Sequence, residues 1–143
     1  MKEDALQRYD LVIKRALTQI LCIQLQDQNW NQATLPVSKG GLGLRPAMEV
    51  TISGYILSVK ASTRITLTLL PEPCRDLHDY SNLAITEWKL RSGQTDEPQN
   101  QSFQSEWDKP MYLKRYTDLL LSMTSKVDKA RLLQYLQNVP QNG

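Results

Sequence analysis

The sequence predicts an all-α protein, an irregular bundle of four to five helices with a glycine-rich turn and a polar linker. Two patterns carry that expectation. Apolar residues recur at spacings of three and four in several long stretches, the periodicity of helices that turn one face inward. Prolines and glycines fall between those stretches or at their first turn, where they end or open helices rather than break them.

The elements follow in order. Leu6, Tyr9, Ile13, Ala16, Leu17 and Ile20 mark one face of a helix over residues 5–25, with Gln7, Lys14 and Gln19 turned outward. Residues 27–38 mix Asn, Gln and Pro36 with Trp30 and Leu35, and are expected to form an irregular connector pinned by its aromatic. A turn follows at Gly40, Gly41 and Gly43. Pro46 suits the first turn of a second helix, whose face is Met48, Ile52, Tyr55, Ile56 and Val59. Arg64 to Leu70 alternates Thr with Ile and Leu; its β-branched residues permit a short strand, but helix or coil is the expectation. Pro71 and Pro73 interrupt the chain. Asp76 then serves as an N-cap, and Leu77, Tyr80, Ala84 and Trp88 trace a third face. Residues 91–105 are polar, with Gly93, Pro98 and clustered Gln and Asn, the composition of a mobile linker. Pro110 is expected to open a helix through Leu113, Tyr116, Leu120 and Met123. Ser125 and Asp128 form the capping box of a last helix bearing Ala130, Leu133 and Leu136. The organisation expected is thus a helical region over 1–90 with its turn at 38–45, a linker over 91–105 and a helical pair over 106–143.

Length and composition narrow the function. At 143 residues the chain is long enough for one domain with its own core. Seventeen basic against fifteen acidic residues leave a formal charge of +2, too little to mark a nucleic-acid binder by composition alone. Cys22 and Cys74 lie far apart with no charged-then-apolar leader before them, which predicts an intracellular protein, of cytoplasm or nucleus, with buried, reduced thiols. The apolar runs near residues 20–25 and 65–70 fall well short of the roughly 18 residues a membrane span requires.

No residue set completes a catalytic or metal site, so no enzymatic activity, cofactor or small-molecule substrate is expected. His78 stands four residues after Cys74 beside Asp79, but a zinc site needs about four ligands and two are missing. The same histidine lacks the serine and second acid of a hydrolytic triad. The run Ser38 to Gly43 precedes a helix, as a phosphate-binding loop does, yet it lacks the Gly-Lys-Ser/Thr ending, and Pro46 removes one of the amide donors such a loop uses. What remains is charge. Between residues 31 and 71 the ionised side chains are Lys39, Arg45, Lys60 and Arg64 against Glu49, a local excess of three (four minus one). Such a patch can follow a phosphate backbone, and a solvated helix face looks the same.

The run Trp30-Asn31-Gln32-Ala33-Thr34-Leu35-Pro36-Val37-Ser38-Lys39-Gly40-Gly41-Leu42-Gly43-Leu44-Arg45 resembles a segment that follows the polymerase core in reverse transcriptases of LINE-like, non-LTR retrotransposons, approximately W-x-Q-A-x-L-P-V-x-x-G-G-L-G-I-R. The chain departs from it mainly by Leu44 in place of Ile. Gln104-Ser105-Glu106-Trp107-Asp108-Lys109-Pro110 and Asp128-Lys129-Ala130-Arg131-Leu132-Leu133 resemble two shorter stretches found in the same order in that family.

The resemblance implies a thumb-like helical region followed by a linker, parts that grip template and primer. The metal-holding aspartates of the polymerase, including its Y/F-x-D-D turn, have no counterpart here, and the chain is expected to be a piece of such an element lying between its catalytic parts. On this reading Lys39, Gly40, Gly41, Arg45, Lys60 and Arg64 are the candidate nucleic-acid-binding residues, seating an RNA or DNA duplex through phosphate contacts. The alternatives are a helical module that docks a partner protein through its last two helices, and a translated remnant without function.

Overall fold

The computed structural model describes residues 3–74 and 80–137, with six α-helices and no strand among them. They are α1 (Glu3–Leu21), α2 (Asp27–Ala33), α3 (Ala47–Leu69), α4 (Asn82–Ser92), α5 (Gln104–Ser122) and α6 (Lys126–Gln137). The all-α expectation stands; the helix number exceeds the four to five expected because residues 27–33 are helical. The chain divides into two compact units, one of residues 1–48 with 112–143 and one of residues 49–111, so that α3 and α5 each pass from one unit to the other.

In the first unit, Leu35, Tyr116, Leu119 and Leu132 form a buried cluster, with Leu120 and Met123 packed against it. A fully buried leucine contributes roughly 1.5–3 kcal/mol, so this cluster is the main driving force for the unit. Two polar contacts orient it. The Tyr116 hydroxyl donates to the Leu132 carbonyl at 3.0 Å, and Arg115 Nη2 donates to the Thr34 carbonyl at 3.2 Å. α6 therefore presents Leu132 to the core, whereas the sequence favours Ala130 and Leu133, which are exposed. Its capping is as expected, with the Asp128 amide donating to Ser125 Oγ.

Helix α1 belongs to this unit and buries none of its residues. Leu6, Ile13 and Leu17 are half-buried, while Tyr9, Ala16 and Ile20 from the same expected face are exposed. The Asp10 carboxylate accepts the amide of Ala47 at 3.0 Å, supplying an acceptor for the orphan donors at the start of α3. Cys22, expected to be buried, is exposed just beyond the helix, with a left-handed φ of 53°.

The second unit buries Ile52 and Ile56 of α3, Ala84, Ile85 and Trp88 of α4, and Trp107 and Met111 of α5. The stretch from Arg64 to Leu69 continues α3 rather than forming coil or strand. Its threonines are satisfied within the helix, Thr66 and Thr68 donating to the carbonyls of Ser62 and Arg64. α4 begins at Asn82; the expected cap Asp76 and the residues Leu77, His78 and Asp79 lie outside the described residues.

Pro110 does not open α5, which starts six residues earlier at Gln104. Pro110 falls in the second turn, inside the helix, where it leaves the carbonyl of Glu106, an exposed residue, without its intrahelical donor. The earlier start brings Gln104, Trp107 and Asp108 onto the helix. Ser53, fully buried on α3, donates to Asp108 Oδ1 at 2.7 Å and accepts from Gln104 Nε2 at 3.2 Å. A buried hydroxyl is costly unless paired in this way.

Residues 93–103 are irregular, as their composition predicts, but fastened at several points. Lys60 Nζ reaches Gln101 Oε1 at 2.9 Å and Glu97 Oε1 at 3.2 Å, and Trp107 Nε1 donates to the Gln101 carbonyl at 3.3 Å. Of the segment's polar side chains, Glu97 and Gln101 are engaged in these contacts, while Gln94, Gln99 and Asn100 are exposed.

Candidate nucleic-acid interface

The sequence-predicted residues fall in two places. Lys39, Gly40, Gly41 and Arg45 belong to the loop between α2 and α3, in the first unit. Lys60 and Arg64 lie one helical turn apart on α3 in the second unit, where with Gln101 and Ser102 they line a groove of about 340 Å³.

The loop is built by its own backbone. Pro36 leads into a single 3-10 turn, Val37–Lys39, which ends at Gly40 with φ 78°. The amides of Lys39 and Gly41 donate to the Pro36 carbonyl, that of Gly40 to Val37, those of Leu42 and Leu44 to Ala33, and that of Gly43 to Leu35. Every amide from Lys39 to Leu44 therefore points at a carbonyl of the same loop or of the end of α2. None is left to cradle a phosphate in the manner of an anion-binding loop. Any contact to an external phosphate here comes from side chains.

The glycines have distinct tasks. A Cβ on Gly41 would stand 2.0 Å from the Leu35 carbonyl oxygen and 2.6 Å from that of Gln32. Gly41 is thus the point where backbone crosses backbone inside the chain. Gly43, at φ 73°, supplies a left-handed turn, and a Cβ there would meet the Val37 side chain at an ordinary contact distance of 3.9 Å. The Gly40 carbonyl accepts Gln32 Nε2 at 3.3 Å, which ties the loop to α2.

Two cations flank this loop. Lys39 is half-buried, with its ammonium 6.0 Å from the centre of the Tyr116 ring, at the outer limit of a cation–π attraction. Arg45 is exposed. In the second unit the Lys60 ammonium is held by Gln101 and Glu97 and lies 5.8 Å from the Trp107 ring, so its charge is largely balanced within the unit. Arg64 is exposed beside it.

Two features of the first unit escape the sequence reading. Arg115, on α5, holds the chain just before the loop through Thr34. A cavity of about 410 Å³ lies among Gln28, Asn29 and Gln32 of α2 and Ser125, Asp128 and Arg131 near the start of α6. Its walls carry amides, a hydroxyl and an Asp128–Arg131 pair at 3.6 Å, groups that form hydrogen bonds but constitute no nucleophile–base pair. Nothing in residue spacing announces either feature, since α2 and α6 are far apart in sequence.

Among the described residues there is no group of three or more His, Cys, Asp or Glu side chains that could hold a metal ion, and no helix long and apolar enough to cross a membrane. Compared with protein-family models, curated proteins and solved structures, the chain matches none.

The three stretches that carry the retrotransposon resemblance are engaged in folding. Gln32, Leu35 and Gly41 build the loop, Gln104, Trp107 and Asp108 organise the second unit, and Asp128 and Leu132 anchor α6.

Proposed function

We propose that the chain is a non-catalytic support for a nucleic-acid duplex, comparable to the thumb and linker of the LINE-like reverse transcriptases that its motifs resemble, in an intracellular setting. The observation that carries this reading is the run from Trp30 to Arg45, in which a loop closed by its own hydrogen bonds has a cation on either side. Lys39 and Arg45 act as point contacts to phosphate, a mode that positions a duplex without reading its sequence. In the second unit, Lys60 serves chiefly to hold the 93–103 segment.

Few contacts mean weak, salt-sensitive binding. With two phosphates neutralised, the logarithm of affinity falls with the logarithm of salt at a slope of about −2. Fluorescence anisotropy with labelled RNA–DNA and DNA duplexes at two salt concentrations tests this. The double reversal Lys39→Glu/Arg45→Glu is expected to abolish binding; tight binding indifferent to salt overturns the proposal.

A second reading, a helical module that docks a partner protein, is favoured by Leu121, Val127 and Leu133, apolar residues exposed on the last two helices. The same double reversal separates the two, because it leaves an apolar docking face untouched.

A further inference from the structure

Helix α1 carries more apolar surface than the chain covers. Ala5, Tyr9, Val12, Ala16 and Ile20 follow one another at spacings of four, three, four and four, within an arc of roughly 80° at 3.6 residues per turn. All five are exposed, with Tyr9 at 58%, Val12 at 60% and Ile20 at 77%. The half-buried residues Leu6, Ile13 and Leu17 lie on one side of this stripe, so the chain packs against only one edge of the helix's apolar face.

The order of sizes along the stripe identifies what fits it. Turned end for end about a point between Val12 and Ile13, the stripe sets Ala5 opposite Ile20 and Tyr9 opposite Ala16, and brings Val12 within one residue's rise, about 1.5 Å along the axis, of its own copy. Each large side chain then faces a small one, the interdigitation that close helix packing requires. A shift by one turn sets Ala5 against Ala16 and Tyr9 against Val12. A parallel pairing sets Tyr9 on Tyr9 and Ile20 on Ile20. Self-complementarity under a two-fold rotation is the property of an isologous interface.

We infer that α1 is a homodimerisation surface, on which a second copy of this chain lays its own α1 antiparallel, centred between Val12 and Ile13. One helix pair buries less than the roughly 1,200–2,000 Å² of a standard interface, so the dimer is weak and concentration-dependent. Arg8 and Arg15 lie together on the outer rim of the stripe. In this register Arg8 of one copy comes near Arg15 of the other, so added salt, which screens like charges, tightens the dimer.

Sedimentation equilibrium of the full chain from about 10 µM to about 1 mM tests the inference. A monomer–dimer equilibrium strengthened by salt is expected. Ile20→Lys, at an exposed position, shifts it to monomer with helical circular dichroism unchanged. Ala16→Tyr alone weakens the dimer at least tenfold, and Tyr9→Ala/Ala16→Tyr, which restores large against small, recovers most of the loss. In a Cys22→Ser/Cys74→Ser background, Val12→Cys forms a disulfide with its own copy, whereas Ala5→Cys, roughly 22 Å from its copy in this arrangement, does not. A monomer throughout the range, a dimer insensitive to Ile20→Lys, or Ala5→Cys linking as readily as Val12→Cys overturns it.

Discussion

The indole N–H of Trp88 donates to the backbone carbonyl of Trp107 at 2.7 Å, and the two rings meet edge to face with centroids 5.0 Å apart. Both side chains are buried, at 1% and 0% exposure. One contact thus joins α4 to α5 through hydrogen bond, ring packing and area together. Trp107→Ala is expected to destabilise the chain by about 3–5 kcal/mol, and Trp88→Phe, which keeps a ring but leaves a buried carbonyl without this donor, by about 1–3 kcal/mol. Urea unfolding followed by circular dichroism measures both; a loss below about half a kcal/mol for Trp107→Ala is incompatible with this packing.

The glycines differ in what they tolerate. Gly41→Ala forces a methyl group against the Leu35 carbonyl and is expected to cost more than about 3 kcal/mol, since backbone cannot retreat as a side chain can. Gly43→Ala meets no backbone atom but carries an unfavourable left-handed φ, at about 1–2 kcal/mol. Gly54, inside α3 with nothing within 4 Å of an added Cβ, should gain about 0.5–1 kcal/mol on change to Ala. Thermal denaturation of the three variants should rank them in that order.

Lys60 offers a test in salt. Its stem and ammonium bridge α3 to Gln101 and Glu97, half-shielded from water. Lys60→Met retains the stem and removes the charge, for an expected loss of about 0.5–1.5 kcal/mol at low ionic strength. The gap between wild type and variant should narrow in about 1 M salt, where the Debye length is about 3 Å. An unchanged gap would mean that packing rather than charge holds the segment.

Burial pushes the Tyr116 phenol above its ordinary value of 10.0. The neutral form is thereby favoured in the folded chain, so the folded state binds this proton more tightly than the unfolded state. Its contribution is complete below pH 10 and is lost as the pH rises from there through the higher folded value. Tyr116→Phe should cost about 1 kcal/mol near neutrality, through the lost bond to the Leu132 carbonyl, and should flatten the alkaline decline. Stability measured from about pH 8 to about pH 11 by chemical denaturation shows whether that slope disappears.

Much of the fold is legible where one residue face suffices to define an element. Spacing alone finds Ile52 and Ile56, Ala84 and Trp88, and the Ser125–Asp128 cap, because a helix repeats every turn whatever it packs against. Failures come where distant residues decide. Pro110 looks like a helix start, since the buried roles of Gln104 and Trp107 depend on partners in α3 and α4. The polar stretch before it looks free because Lys60, its anchor, lies some forty residues upstream. At the candidate interface the six residues are identifiable by charge and by glycine content. That the loop amides face inward is not, because hydrogen-bond direction is set by the path of the chain and leaves no trace in composition.

The placement of the three tryptophans gives each compact unit its own optical reporter. Trp30 sits in the first, on α2, while Trp88 and Trp107 form a coupled pair in the second. Exciton circular dichroism, which needs two neighbouring indoles, therefore reports on the second alone. In a Trp30→Phe chain, emission follows that unit too, and a mismatch between this signal and far-ultraviolet ellipticity would reveal whether the two melt together or in sequence.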